Sequence, residues 1–488
     1  MKKILLLMLV FALALTGLSG CKKPAGQDDG SSTLSDSSDI DTADEPNLPD
    51  LPDDEIPDES IGENTASTTS TASKKPSVST ASKAASVATL PSNLTKQDKD
   101  LFPKRNLGSN KNIVVYSSSA PNDWLIAAAQ VYKAKYGGTV TYQIVSWDMR
   151  NTRLRQYIQS GDSPDFMPAY GVDIITLMYG DLLTPLDDKI DMKNKNLAID
   201  IMKTRSTYKN KTYGFAPKSD DGTDQAPLLM LFNNALFKKA ALKTPLQYYN
   251  ENKWTWETFK KLATDITEKD GSGATTVFGA ASWQDEAFVI SNGISPAQYK
   301  NDTVSINVGD AKARQAFDLI HDLVASGSMV SDRWAGGALF NSGKVAMYHG
   351  YVNDWGQLKK NGMDVDFVPF PKGPAADKHY ALGDFSVYSI PKGAKNVQGG
   401  LAFAEILANG FPNLSREKRP FSGTQEKRYI DYAKNVLDGG HILSNSGPLG
   451  AEWNTLVYDV RLQPVGTALE GNLPKLTATL NTFLSTRK

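Results

Sequence analysis

The chain lacks cysteine pairs, long apolar runs and an excess of either charge. Cys21 is the only cysteine in 488 residues, so no disulfide can form within the chain. The longest apolar run, residues 4–15, is shorter than the roughly 20 residues that a membrane-spanning helix needs. The net charge is −1, and residues 106–488 carry an excess of only four positive charges. So small an excess gives no indication of nucleic-acid binding.

Aromatic residues are absent from the segment that follows Cys21. No Phe, Trp or Tyr occurs in residues 22–101, and residues 22–105 hold 9 basic and 16 acidic side chains. A segment of this composition cannot bury enough apolar surface to offset the entropy lost on ordering. We therefore expect residues 21–105 to be a disordered linker, although the acidic run could instead bind a partner.

The N-terminus has the pattern of an exported, lipid-modified protein. Lys2 and Lys3 precede the apolar run, and the small-residue sequence Leu-Ser-Gly leads to Cys21. This pattern resembles a lipobox, and the alternative is an ordinary buried helix. The resemblance implies a signal peptide over residues 1–20 and diacylation of Cys21. Two acyl chains anchor firmly, so we expect membrane contact through this lipid alone, at the outer face of the cytoplasmic membrane.

The remaining residues, 106–488, predict a two-domain α/β body. Their number is too large for one compact core. Strands and helices alternate, which favours βαβ units on a largely parallel sheet. Strands are predicted at 112–117, 139–145, 164–167, 228–232, 365–370 and 386–390. Helices are predicted at 122–136, 154–158, 172–179, 233–240, 255–266, 311–325, 402–407, 428–437, 452–462 and 475–484.

A series of short motifs across residues 112–486 resembles the bacterial extracellular solute-binding protein family 1. That family comprises sugar-binding receptors of ABC importers and includes the maltose-binding proteins. The motifs occur in the family's order, and each alone is weak. They are GDSPD (161–165), GDLLTPLD (180–187), YGFAP (213–217), LLMLFNNALF (228–237), WTWETF (254–259), FNSGKVAM (340–347), FPKG (370–373) and IPKG (390–393).

The resemblance implies a two-lobed periplasmic-binding-protein-like fold that closes on a ligand held between the lobes. The chain would cross between lobes near residues 218–228, 364–370 and 412–425. Lobe 1 would contain about 106–222 plus 368–418, and lobe 2 about 228–364 plus 425–488. The protein would be a monomer without cofactor or catalytic activity. It would bind a carbohydrate, expected to be an oligosaccharide, and deliver it to the permease subunits of an ABC importer.

Candidate ligand-binding residues are aromatic and short polar side chains in loops that follow strands. A sugar offers flat C–H faces to aromatic rings and a rim of hydroxyls to carboxylates and amides. Position after a strand selects Asp123 and Trp147. The resemblance adds, by their places beside the motifs, Tyr170, Asp221, Trp283, Asp285, Tyr351, Trp355 and Trp453. The alternative for each aromatic is core packing, and for Asp123 it is a helix cap.

Two other classes of function are open to such a sequence. The first is a surface glycoside hydrolase, for which Asp285 and Glu286 are the adjacent carboxylates. The second is a receptor of the same fold for a peptide, a metal, an oxyanion or a polyamine, and a surface adhesin without a transporter is related to it. The four histidines are too scattered for metal-ligand spacing. Val345 follows Lys344 where a phosphate-binding loop needs Ser or Thr, so a nucleotide site is rejected.

Overall fold

The computed structural model describes residues 105–485, apart from 220, 222, 301, 418, 420, 438–442 and 444–446. The predicted signal peptide, Cys21 and the predicted linker up to residue 104 lie outside the described residues. The first elements are β1 (Ile113–Ser117), α1 (Asp123–Tyr136), β2 (Val140–Ile144), α2 (Arg150–Gln159), β3 (Met167–Tyr170), α3 (Gly171–Tyr179), α4 (Ile199–Arg205), β4 (Thr207–Tyr208), β5 (Lys211–Thr212), β6 (Ala226–Pro227) and β7 (Leu229–Asn233).

The chain continues through a second set of elements to residue 485. These are α5 (Asn234–Lys239), α6 (Pro245–Asn250), α7 (Trp256–Asp265), β8 (Glu268–Lys269), β9 (Thr275–Ala281), α8 (Glu286–Ser291), β10 (Ala297–Lys300), β11 (Thr303–Ile306), α9 (Ala311–Ala325), α10 (Gly336–Asn341), β12 (Val345–Gly350), α11 (Val352–Lys360), β13 (Val365–Val368), β14 (Ala381–Asp384), β15 (Ser386–Ser389), α12 (Val397–Glu417), α13 (Gly423–Ala433), β16 (Val436–Leu437), α14 (Gly450–Leu462) and α15 (Val465–Ser485).

Lobe 1 is the group of elements around β1, β2 and β3. Strands β1 and β2 pair in parallel, and Phe166 makes a single parallel bridge to Val115 on the other side of β1. Strand β3 therefore starts three residues later than predicted and pairs with β15, antiparallel. Helix α1 begins where Asn122 Oδ1 accepts the Leu125 N–H at 3.0 Å, so Asn122 and not Asp123 is the N-cap.

Asp165, the last residue of the GDSPD motif, joins distant parts of lobe 1. Its carboxylate is 4% exposed and accepts the backbone N–H of Val114 at 2.9 Å and of Asn396 at 2.7 Å. Both donors belong to backbone that would otherwise be buried without a partner. The motif thus connects β1 to the segment that leads into α12.

Lobe 2 is built on the five-stranded sheet β13-β7-β12-β9-β8. Only β12 and β9 pair in parallel, and the other three pairings are antiparallel. The expectation of a largely parallel sheet is therefore wrong for this lobe. Strand β7 enters the sheet from β6 without a preceding crossover helix, and it lies between β12 and β13, which run parallel to each other. The strand–helix–strand pattern cannot reveal a strand inserted in this way.

The ends of two helices in lobe 2 are set in different ways. Thr255 caps α7, and Thr258 at the third helical position completes a capping box. The helix predicted to reach residue 437 ends at Ala433. Val436 and Leu437 instead pair with Ala381 and Leu382 of β14.

Three short strands join the two lobes. Strand β14 lies between β6 and β16, and these strands form the sheet that we call the hinge sheet. Asp221 and Arg419, which the family resemblance predicts to lie on two different crossings between the lobes, form an ion pair. Residues after β13 remain beside lobe 2, since Ala375 N–H donates to Asn292 Oδ1 at 2.9 Å. The exact lobe limits remain a prediction, and this contact favours a second crossing between β14 and β15.

The lobes also touch through an aromatic contact away from the hinge sheet. The ring of Tyr179 in lobe 1 lies 5.3 Å from that of Phe483 in lobe 2. The Tyr179 hydroxyl donates to the carbonyl of Asp302 at 2.7 Å, and the Tyr299 hydroxyl donates to the carbonyl of Thr207 at 2.6 Å. Within the described residues, no helix combines the length and the apolar character needed to cross a bilayer.

Candidate ligand-binding site

An exposed tryptophan on a buried arginine forms the lobe 1 side of the candidate site. Trp147 follows β2 and is 47% exposed. The guanidinium carbon of Arg150 lies 3.6 Å from the centre of the Trp147 ring. The centre of the Tyr170 ring lies 5.1 Å from that of Trp147. Arg150 is itself buried, and its Nε and Nη2 each donate to a different oxygen of Asp173 at 2.8 Å. The indole is therefore held rigidly at the end of β2 and β3.

The lobe 2 side is formed by the loops that follow β9 and β12. Because these strands are parallel neighbours, their carboxyl ends meet at one edge of the sheet. His349 is completely buried there, and its Nε2 accepts the backbone N–H groups of Trp283 at 2.9 Å and Gln284 at 3.1 Å. Burial lowers the pKa of His349 to about 3, so the imidazole is neutral. It positions the loop that carries Trp283, whose ring lies 5.4 Å away.

Asp384 brings the two sides together. Burial raises the pKa of Tyr170 in lobe 1 and of Tyr351 in lobe 2, and the negative charge of Asp384 raises both further. The strand registers place it near both phenols. Ser386, two residues after Asp384, pairs with Tyr170. Gly383 pairs with Pro227 of β6, and two residues further on Leu229 of β7 pairs with Gly350, the neighbour of Tyr351. Asp384 at the end of β14 thus marks the place where aromatic and polar groups of both lobes converge.

Glu286 is a buried acid beside this convergence. Burial raises its pKa to about 7, while the positive charge of Arg333 acts in the opposite direction. Its Oε2 has no hydrogen-bond partner among the described residues. Near neutral pH the group can therefore be either a hydrogen-bond donor or an acceptor.

The structure ties two of the predicted carboxylates into ion pairs. Asp285 is completely buried, and both its oxygens accept from Arg461, at 2.9 and 2.6 Å. Although burial opposes its charged form, Arg461 holds the pKa of Asp285 below its usual value. Asp221 accepts from Ser219 and pairs with Arg419. Neither carboxylate is free to meet a ligand in this structure, and Asp285 is not placed to act as a glycosidase acid or nucleophile.

The predicted aromatic residues divide into surface and core positions. Trp147 and Tyr170 contact each other, and Trp283 and Tyr351 lie on the facing loops. Trp355 and Trp453 are only 2% and 1% exposed, and their rings adjoin Phe421 and Phe317. Burial of these two matches the core alternative. Asp123 is exposed at the start of α1, apart from these contacts.

Several residues of the site were missed by the sequence analysis. They are the arginines under two exposed indoles, the acid that holds one of these arginines, and the central carboxylate, namely Arg150, Arg333, Asp173 and Asp384. One signal was available, since an arginine lies close in sequence to Trp147 and directly before Trp334. No local pattern distinguishes Asp384, whose position depends on the pairing of β14 with strands from distant parts of the chain.

A family model and several solved structures resemble the chain. Residues 116–409, more than half of the chain, match the model described as bacterial extracellular solute-binding protein. No curated protein matches the chain in sequence. An ABC substrate-binding protein from Listeria monocytogenes, in complex with cycloalternan, is similar in structure with a TM-score of 0.59 and 17% identity. That alignment covers 76% of this chain and 99% of the other.

Two further solved structures show the same likeness. The GacH receptor of Streptomyces glaucescens, solved unliganded and with acarbose, has a TM-score of 0.58 and 18% identity, covering 77% of this chain and 99% of that one. MalX from Streptococcus pneumoniae, in complex with maltopentaose, has a TM-score of 0.57 and 18% identity, covering 75% and 100%. Together with the family match, these likenesses confirm the predicted two-lobed α/β fold.

The burial of Trp453 predicts a structural role that can be measured. Trp453→Ala should lower the free energy of unfolding by about 3–5 kcal/mol, because it removes a large side chain from the core. Tyr458 on the same helix is 52% exposed, so Tyr458→Ala should change it by about 0.5 kcal/mol or less. Urea unfolding of the unliganded variants measures both values. A Trp453→Ala protein as stable as Tyr458→Ala would show that the indole is not part of the core.

The raised pKa of Glu286 predicts a pH-dependent cost to stability. Below its unfolded pKa of roughly 4.3 the group is protonated in both states and costs nothing. Between that pH and its folded pKa of about 7, the unfolded state alone loses the proton, so stability falls as pH rises. Glu286→Gln should therefore raise the free energy of unfolding by about 3 kcal/mol at pH 8 and leave it almost unchanged at pH 4.5.

Urea unfolding of wild type and Glu286→Gln at the two pH values measures this difference directly. Other titrating groups act on both proteins alike and cancel in the comparison. The same stability gain at both pH values would contradict a raised pKa for Glu286.

Proposed function

Because the chain belongs to the bacterial extracellular solute-binding protein family, we propose that it is the carbohydrate receptor of an ABC importer. Its ligand would be an oligosaccharide held between the two lobes and passed to permease subunits. Three structurally similar proteins were solved with cycloalternan, acarbose and maltopentaose, which supports this class of ligand. The protein would act as a monomer that binds and releases its ligand unchanged.

The observation that carries the proposal is the convergence of aromatic and polar groups from both lobes near Asp384. Trp147 offers a flat apolar surface on one side. On the other, Tyr351 follows β12, and Gln284 has a side-chain oxygen without a hydrogen-bond partner among the described residues. A sugar needs both kinds of surface, since its C–H faces are apolar and its edge carries hydroxyls. Contacts to both lobes stabilise the closed form, because a ligand favours the state that it binds better.

The same arrangement gives no support to hydrolysis. The Asp285 carboxylate is occupied on both oxygens by Arg461. Nε2 of His349 accepts two backbone N–H groups, so it is not available as a base for the nearby Ser282 hydroxyl. We therefore propose binding without a chemical step, in keeping with a family of binding proteins.

Thermal unfolding of residues 106–488 against a panel of mono- and oligosaccharides tests the proposal. A ligand at a hundred times its Kd adds about 2.7 kcal/mol of stability, which raises Tm by roughly 3–6 °C. Trp147→Ala should reduce affinity for the active sugar about tenfold or more, since it removes the exposed stacking surface. Tyr458→Ala, an equally exposed aromatic on lobe 2, should bind the sugar like wild type.

If no sugar raises Tm, and peptides, metals or oxyanions do, the carbohydrate assignment is contradicted. If Trp147→Ala binds the active sugar with wild-type affinity, the carbohydrate assignment stands, but Trp147 does not contact the ligand.

The proposed lipid anchor is tested in cells with Cys21→Ala in the full chain. Without the thiol no acyl chain can be attached, so we expect the variant in the soluble fraction and wild type with the membranes. Uptake of the active sugar should fall with the loss of anchoring, because the receptor is no longer held beside its permease. Cys21→Ala protein that stays in the membrane fraction would contradict lipidation at this residue.

A further inference from the structure

Trp334 is the most exposed of the large hydrophobic side chains that the structure describes, at 58%. It lies just before α10 in lobe 2, and it was not among the residues that the sequence predicted for the site. Exposure of an indole forgoes the favourable transfer of its apolar surface out of water. An isolated exposed aromatic residue is common on protein surfaces and indicates nothing by itself. Trp334 differs because a buried arginine contacts its ring.

The support is the side chain of Arg333. Its guanidinium carbon lies 5.0 Å from the centre of the Trp334 ring, and Arg333 is only 5% exposed. The Nε of Arg333 donates to the carbonyl of Trp283 at 3.1 Å, and Nη1 donates to Oδ1 of Asn454 at 3.0 Å. Hydrogen bonds to two different segments fix the guanidinium, so the ring has a positioned cation beside one of its faces.

The same construction occurs on lobe 1. There Trp147 is 47% exposed above Arg150, which is 3% exposed and held by Asp173. Two unrelated stretches of the chain therefore each hold an accessible indole on a buried, hydrogen-bonded arginine. A rigid aromatic surface loses little conformational entropy when a ligand stacks on it.

The loop that carries Trp334 adjoins the candidate site. A Cβ built on Gly336 would lie 2.8 Å from the Cβ of Ala281, the last residue of β9. Arg333 contacts the backbone of Trp283 in the loop that follows the same strand. Trp334 is thus at the edge of the sheet where the lobe 2 residues of the site lie, and it is more exposed than any of them.

We infer that Trp334 is an outer stacking site for a sugar ring of an extended oligosaccharide whose other end reaches the site near Trp147. The inference rests on the proposed carbohydrate function and adds to it a ligand long enough to contact both indoles. Asp332 and Ser331, also exposed, flank the ring on its N-terminal side, so the surface there is a single aromatic face with polar neighbours. That surface suits a sugar ring, with its apolar face and hydroxyl edge, better than a broad apolar partner.

Isothermal titration of a length series tests the inference. The probes are maltose through maltoheptaose and the matching cello- and xylo-oligosaccharides, titrated into wild type, Trp334→Ala, Trp147→Ala and Tyr458→Ala. We expect Trp334→Ala to lose about tenfold in affinity for the longest members that bind and to match wild type for the shortest. Trp147→Ala should lose affinity at every length, and Tyr458→Ala at none.

Each other outcome overturns the inference in a distinguishable way. Wild-type affinity of Trp334→Ala at all lengths removes the outer site but leaves the proposed function, provided that Trp147→Ala is impaired. If Trp334→Ala binds every oligosaccharide like wild type and only sugar uptake in cells falls, Trp334 contacts a permease instead. An equal loss at all lengths places Trp334 in the inner site, and a wild type that binds only monosaccharides excludes an extended ligand. No binding by wild type to any carbohydrate contradicts the proposed function itself.

Discussion

The buried guanidinium of Arg461 is the interaction on which the lobe 2 side of the site depends. Its side chain is 0% exposed and donates to both oxygens of Asp285. It also donates to the carbonyls of Ser282 at 2.7 Å and Val330 at 3.0 Å. One residue of α14 thereby joins the end of β9, the start of α8 and the loop that leads to Arg333. Loss of such a side chain would leave a buried carboxylate without a partner, which is strongly unfavourable.

In both lobes, a buried arginine side chain lies directly against an exposed tryptophan ring. Arg150 and Arg333 are buried, each is fixed by hydrogen bonds, and each lies under an exposed indole. The position of the ring is therefore set by the folded core and not by its own loop. This explains how short connections after strands can hold aromatic surfaces in defined positions.

Local sequence patterns predicted most helices and strands, but they did not predict which strands distant in the chain pair with each other. Helix α9 was found at its predicted limits because its apolar spacing and its Asp310 cap are local features. The direction of β7 depends on which strands become its neighbours, and residues near it in sequence do not determine that. The burial of Trp453 could be predicted from the sequence, because its spacing from three apolar residues is helical. These residues, Leu456, Val457 and Val460, are buried with it. The family resemblance implied a place at the ligand for Trp453, and packing in the core was the alternative that the sequence left open.

The links between the interlobe connections limit how the lobes can move. If the three crossings were independent, each could bend or twist alone, and the lobes could approach one another in many relative orientations. The hinge sheet joins β6, β14 and β16, and the Asp221–Arg419 pair adds a contact between two of the connections. The crossings must then bend together, which reduces the relative motion toward rotation about a single axis. The separation of the Trp147 and Trp334 rings would then change along one path as the lobes move.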